Sequence, residues 1–165
     1  MESATSERFV PVSAQDRADV IDAVNRLNMA FDNWDVEAMV AAFTEDGSVH
    51  HARGDVRGWD ELRIFYDAYR PLTLGVRRHA MNHVVDGLDN GCIRVTSYNL
   101  LIRVSASTED DIQKKEMLIT SDDFPALYVH AVTIDTFRKD SGFGWRIAHR
   151  TAERNVVNRK LHSGG

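Results

Sequence analysis

The sequence predicts an α+β fold in which a curved, mixed but mainly antiparallel sheet wraps around three N-terminal helices as a cone-shaped barrel. Apolar residues recur at helical spacing as far as Pro71. Beyond Pro71 they alternate with a period of two through four long segments, which turn residues separate. A sheet of long strands that curls around helices leaves a cavity at its open end, and such a cavity favours a small-molecule site.

The composition of the chain excludes several classes of protein. The chain has 165 residues, of which 43% are hydrophobic and 27% charged, as expected for one globular domain. A net charge of −5 argues against a nucleic-acid partner. No apolar stretch approaches the roughly 20 residues that span a bilayer, and no signal-peptide pattern opens the sequence. We therefore expect no membrane contact and a cytoplasmic location, and the single Cys92 excludes an intramolecular disulfide.

The helical part begins after a flexible arm, predicted over residues 1–12. Ser13, followed three positions later by Asp16, is typical of a helix start. A neighbouring stripe of that helix turns polar and ends at Asp32. A second helix is predicted to begin at Asp35 and to reach Phe43. The buried stripe of the first helix consists of Val20, Val24, Leu27 and Phe31.

The strands follow a third helix, predicted over residues 59–69. A short strand over 48–52 precedes that helix, and long strands are predicted over 76–86, 92–107, 128–138 and 144–156. The domain is thus expected to span 13–156, with a tail over 157–165. The polar segment 108–123 is predicted as a loop, either a lid over the cavity or an elaborated hairpin.

Four segments of the sequence, 30–39, 43–47, 78–82 and 144–150, carry a resemblance to a known family. They resemble the SnoaL-like branch of the nuclear transport factor two-like superfamily, which includes scytalone dehydratase, a dehydrochlorinase and polyketide cyclases. The resemblance implies the cone-shaped fold and a homodimer or homotrimer formed through the outer sheet face. It does not fix the activity, because this fold hosts unrelated functions.

The resemblance also implies a catalytic pair. In the dehydratase and the dehydrochlorinase, an aspartate at the end of the first helix pairs with a histidine on the first long strand, and Asp32 and His79 match these positions. His79 is then the general base and Asp32 the partner that orients it. His51 falls where the dehydratase has a tyrosine, and it is a candidate substrate-binding residue.

Strand alternation assigns the neighbours of His79 to two faces. One face carries His79, Met81, His83 and Val85, and the other carries Arg78, Ala80, Asn82 and Val84. If His79 faces the cavity, Met81 faces it as well and contacts the substrate.

Aromatic and cationic side chains complete the predicted substrate site. Phe31 and Trp34 are expected to contact a cyclic or aromatic ligand, and Tyr66 and Tyr98 to polarise a carbonyl as hydrogen-bond donors. Arg150 is expected to hold a carboxylate or phenolate. No metal-ligand, dinucleotide or nucleophile-elbow motif is present, so we predict no metal site and no cofactor.

These observations favour a cofactor-independent lyase, a dehydratase or related β-eliminating enzyme, that acts on a small, largely apolar cyclic substrate through Asp32 and His79. One alternative is an isomerase or cyclase of the ketosteroid-isomerase or polyketide-cyclase type, and in the ketosteroid-isomerase-like case Asp32 itself is the base. The other is a non-catalytic small-molecule-binding module or oxygenase-partner subunit, in which both residues are structural. The distance between the two side chains and the openness of the cavity discriminate between these functions.

Overall fold

The computed structural model describes residues 9–70, 73–105 and 124–162. Its helices are α1 (Ala14–Asn33), α2 (Val36–Ala41), α3 (Gly58–Tyr69) and the short α4 (Arg159–His162). Its strands are β1 (Phe9–Val10), β2 (Phe43–His51), β3 (Gly54–Arg57), β4 (Val76–Leu88), β5 (Ile93–Arg103), β6 (Ala126–Asp140) and β7 (Gly144–Val157). The predicted loop over 108–123 lies outside the described residues.

The strands form one seven-stranded sheet in the order β1-β4-β5-β6-β7-β2-β3. All neighbours are antiparallel except β2 and β7, which run parallel. The sheet is curved and does not close, and the N-terminal helices pack against it, which confirms the predicted α+β architecture. Phe9 and Val10, inside the predicted flexible arm, pair with the end of β4.

Side-chain caps position the end of α1. The Ser13 hydroxyl accepts a hydrogen bond from the Asp16 N–H at 3.0 Å, so α1 begins where the sequence predicts. At its other end Trp34 takes a left-handed conformation (φ 53°), and the Asp35 carboxylate caps α2 by accepting from the Ala38 N–H at 3.0 Å. The last turn of α1, which carries Asp32, is held between these two caps.

The main core lies between α1, α2, α3 and the concave face of the sheet. Its largest fully buried side chains include Leu27, Met39, Phe43, Leu62, Phe137 and Ile147. Phe43 was predicted to end α2 but begins β2, because that segment pairs with β7. No helix among the described residues is long and apolar enough to cross a membrane.

An irregularity in β4 changes which residues face the helices. β4 and β5 pair regularly up to Met81 and again from Val84, and between these positions Asn82 adopts a φ of 55°. An extra residue at such a bulge reverses the alternation of the strand that follows it. Arg78 faces inward before the bulge, and Val85 faces inward after it. The prediction that His79 and Val85 share one face of the strand is therefore wrong, because the bulge lies between them.

Candidate functional site

A cavity opens between the helices and the concave face of the sheet. Its volume is about 90 Å³, and it adjoins an outer pocket of about 330 Å³ with which it shares His51, Tyr69, Val129 and Asn155. The outer pocket alone falls within the range of roughly 300–1,000 Å³ typical of small-molecule sites. The inner cavity is also lined by Phe31, Val49, Phe65, Tyr66, Arg78, Asn99, Leu101, Ala131, Thr133, Arg150 and Ala152.

Aromatic rings form one wall of this cavity. The ring of Phe31 meets Tyr66 edge-on at 5.1 Å between centroids, and Phe65 stacks on Tyr69 at 5.9 Å. The imidazole of His51 contacts the rings of Phe65 and Tyr69 at 5.6 and 5.7 Å between centroids. Positions 65, 66 and 69 lie close together on α3 because of its helical period. The wall is suited to a planar or cyclic ligand.

Asp32 is bonded to Arg78. Both carboxylate oxygens accept from the Arg78 backbone N–H at 3.1 and 3.2 Å, and one of them also accepts from Nη1 at 3.3 Å. Both side chains are buried, and the Arg78 guanidinium lies 4.5 Å from the centre of the Phe31 ring. Burial raises the pKa of Asp32, and the hydrogen bonds and charge of Arg78 oppose that rise.

The expected pairing of Asp32 with His79 is not formed. Because the backbone N–H and side chain of Arg78 face α1, the next side chain along the strand points to the opposite face of the sheet. His79 is accordingly exposed on the outer face. Met81 and Tyr98, which are paired in register, are 38% and 42% exposed. The structure therefore places these three predicted site residues outside the cavity.

Of the remaining predicted site residues, four line the cavity and one lies beside it. Phe31, His51, Tyr66 and Arg150 line the cavity as expected. Trp34 packs against Phe31 at 6.5 Å between ring centroids, and the guanidinium of Arg70 covers it, but it is not part of the cavity wall.

Arg150 is engaged by a buried carboxylate. Its Nε and Nη2 donate to the two oxygens of Asp135 at 2.6 and 2.8 Å, and Asp135 is fully buried. Arg150 was expected to hold a substrate anion, but this bidentate pair uses the fork of donors on which such recognition depends. Asp135 itself was not predicted from the sequence.

Two neutral hydrogen-bond donors border the cavity. Burial, then the nearby charges of Arg53 and His50, lower the pKa of His51, so its imidazole is neutral at pH 7. Its Nδ1 accepts from the Arg53 backbone N–H at 3.1 Å, which leaves the proton on Nε2. Burial raises the pKa of Tyr66, which therefore remains a protonated phenol and a donor.

Several buried polar atoms have no hydrogen-bond partner among the described residues. Two of them, Nη2 of Arg78 and Oδ1 of Asn99, belong to residues that line the cavity. Others are the side-chain amide of Asn28, Nε2 of His83 and Oγ of Ser97. Arg78 was not predicted as a site residue, although the adjacent pair Arg77-Arg78 in a strand that packs on one face indicates that one arginine points to the interior.

The family description SnoaL-like domain matches residues 12–151. The chain belongs to this family. The match confirms the resemblance noted in the sequence, and among curated proteins none matches the chain.

Solved structures share the fold of this SnoaL-like domain. A protein of unknown function with a cystatin-like fold from Nostoc punctiforme is 24% identical, with a TM-score of 0.69 over 92% of this chain and 98% of that one. An NTF2-like protein with a cystatin-like fold from Novosphingobium aromaticivorans is 17% identical, with a TM-score of 0.66 over 88% and 83%. ActVI-ORFA from Streptomyces coelicolor is 15% identical, with a TM-score of 0.66 over 83% and 95%. At these identities the likeness shows the fold alone.

A metal site is not evident in the described part of this SnoaL-like domain. Within residues 9–70, 73–105 and 124–162, no group of three or more His, Cys, Asp or Glu side chains is arranged to hold an ion.

The two inward-facing histidines of this SnoaL-like domain predict a pH dependence of stability. Burial lowers the pKa of His51 and of His83 below the usual 6.5. Between the folded and unfolded pKa values the unfolded chain binds more protons, so stability is lost as the pH falls through that interval. We expect the urea midpoint to fall between about pH 7 and about pH 5.5, and His51→Phe and His83→Leu to make that fall shallower. His149→Gln, at an exposed histidine on β7, is the control; equal slopes in all variants contradict the expectation.

Proposed function

We propose that this SnoaL-like domain is a cofactor-independent enzyme of the lyase, isomerase or cyclase kind. It binds a small cyclic or aromatic substrate in the cavity and stabilises negative charge on a substrate oxygen. The observation that carries the proposal is that neutral donors, His51 and Tyr66, border a cavity with an aromatic wall. We also propose that the protein is cytoplasmic and that it forms a homodimer or homotrimer through the outer face of its sheet.

The two donors can stabilise a negatively charged oxygen that forms on the substrate during the reaction. Elimination beside a carbonyl, double-bond isomerisation and aldol-type cyclisation all pass through an enolate or a similar oxyanion, which forms when a base removes a carbon-bound proton. Because Asp32 and Asp135 are both paired with arginines, the proton acceptor in this proposal is a hydroxide ion from the solvent. Preorganised donors in a site that excludes water stabilise such an oxygen more than water does, and removal of one donor typically costs about 10²–10³-fold in rate. The neutral imidazole of His51 and the phenol of Tyr66 are donors of this kind.

The geometry favours this chemistry over catalysis by the predicted dyad. His79 is exposed, and both oxygens of Asp32 accept from Arg78, so neither residue is placed as a base that faces a substrate in the cavity. Dehydration remains among the proposed reactions, because a β-hydroxyl group leaves from an enolate. In the proposal, His51 and Tyr66 assist this step in place of His79 and Asp32.

A second candidate is a binding module without turnover. It is favoured by the pairing of both buried carboxylates near the cavity, since Asp32 bonds Arg78 and Asp135 bonds Arg150. Among the described residues these pairs leave neither carboxylate free to take a proton. In this case the aromatic wall and the donors hold a ligand for another protein.

The test is exchange of an acidic carbon-bound proton. We expect the protein to accelerate deuterium uptake from D₂O into at least one of a small panel of cyclic ketones that begins with 2-tetralone, followed by proton NMR. His51→Phe keeps a ring in place but removes the donor, and we expect it to lower the acceleration by about 10²-fold. His149→Gln, on the outer face, is the matched control.

Two outcomes separate the candidates. Ketones that raise the melting temperature of the protein but exchange no faster than in buffer favour the binding module. Exchange that is lost equally in the His149→Gln control, or that is retained in His51→Phe, contradicts the proposed role of His51.

A further inference from the structure

The two buried arginines of the cavity differ in how fully they are paired. Arg150 uses Nε and Nη2 in a bidentate contact with Asp135 at 2.6 and 2.8 Å. Arg78 has only one side-chain contact with a carboxylate, from Nη1 to Asp32 at 3.3 Å, while its Nη2 is buried without a partner among the described residues. A buried, charged donor without an acceptor is costly unless a ligand supplies one.

Arg78 is one of the residues that line the cavity. Its side chain is only 4% exposed, it lines the cavity wall, and it stacks over the ring of Phe31 at 4.5 Å. The stacking and the bond to Asp32 hold the guanidinium in place, so a ligand that binds Nη2 does not have to order it. Both oxygens of Asp32 are directed at Arg78 itself, where they accept from its backbone N–H and Nη1.

We infer that Arg78 is the anion anchor of this site, and that the ligand is a ring compound with an ionised oxygen, a phenolate, enolate or carboxylate, bound at Nη2. The family resemblance implies a histidine beside Asp32 that accepts a proton from the substrate. A guanidinium at this place does not accept protons, so it binds negative charge and does not remove a proton. The inference rests on the proposed function, because it takes the same cavity to be the substrate site.

The test compares a ring that ionises with one that does not. The probes are 4-nitrophenol, whose phenolate form absorbs visible light, and nitrobenzene, which carries no acidic group. In the unaltered protein we expect the phenolate to bind about 10- to 100-fold more tightly than nitrobenzene, the range for a hydrogen bond to a charged group. The pKa of bound 4-nitrophenol, read from its absorbance, should fall correspondingly by about one to two units.

Variants assign that preference to one residue. Arg78→Gln should abolish both the preference and the lowered pKa while nitrobenzene affinity stays within about threefold. Arg77→Gln, on the same strand and the opposite face, should keep the preference. If Arg78→Gln does not fold, the double variant Arg78→Met/Asp32→Asn provides the comparison, with nitrobenzene binding as the check on cavity integrity.

The outcomes are distinguishable. Equal affinity for the two probes in the unaltered protein, or a preference that survives in the Arg78 variants, overturns the anchor and leaves the proposed cavity function in place. Failure of both probes to bind overturns the anchor together with the proposed small-ring site. A preference that is lost only in the Arg78 variants supports the inference.

Discussion

Replacing Asp135 by alanine is expected to lower the free energy of unfolding by roughly 3–5 kcal/mol. Asp135 is fully buried, and it accepts hydrogen bonds from Nε and Nη2 of Arg150, which is also buried. Without the carboxylate, a guanidinium is left in the interior with no counter-charge and two unsatisfied donors. The measurement is urea-induced unfolding followed by tryptophan fluorescence at about pH 7.

An exposed pair of similar geometry provides the control for Asp135. Arg138 and Asp46 are joined by a contact of 2.6 Å, but both side chains are about half exposed. Asp46→Ala should therefore cost only about 0–1 kcal/mol. The double variant Asp135→Leu/Arg150→Met should regain much of the lost stability, since it removes both buried charges. Equal losses for Asp135→Ala and Asp46→Ala would show that burial does not set the energetics of this pair.

A double-mutant cycle is expected to show strong coupling between Asp32 and Arg78. We expect an interaction energy of about 1–3 kcal/mol in unfolding experiments on Asp32→Asn, Arg78→Met and the double variant. The reason is that the two side chains are buried and in direct contact at 3.3 Å. Asparagine retains an acceptor for the Arg78 backbone N–H, so the cycle reports mainly on the side-chain contact.

The same cycle with His79 tests the dyad predicted from the sequence. His79 is exposed on the outer face of β4, so Asp32→Asn and His79→Ala should be additive within about 0.3–0.5 kcal/mol. Coupling between Asp32 and His79 that equals the coupling with Arg78 would restore the dyad and contradict the arrangement described above. Either result decides which strand residue is the partner of Asp32.

Local signals account for the parts of the fold that the sequence predicted. Ser13 and Asp35 cap helices because their side-chain oxygens accept from a backbone N–H three residues on, a contact set by neighbouring residues alone. The stripe of Val20, Val24 and Leu27 is buried as its spacing predicts. Phe43 was misplaced because its pairing with β7 depends on a segment about a hundred residues away.

The candidate site was predicted in part. Phe31, Tyr66 and His51 were expected in the cavity and line it, since two of them lie on helical stripes that also carry core residues. Arg78 was missed, and His79 was expected in its place. A period of two divides a strand into two faces, but it does not say which face packs against a helix.

The sequence alone determined the order of the three N-terminal helices and the four long strands, the helix starts, the membership of the SnoaL-like family and the aromatic character of the cavity. Only the tertiary structure decided which ionisable groups meet inside. The docking of α1 on β4 turned Arg78 toward Asp32, and the bulge at Asn82 changed the inward face farther along the strand. Both depend on contacts between distant segments, whereas capping and periodicity are local properties of the chain.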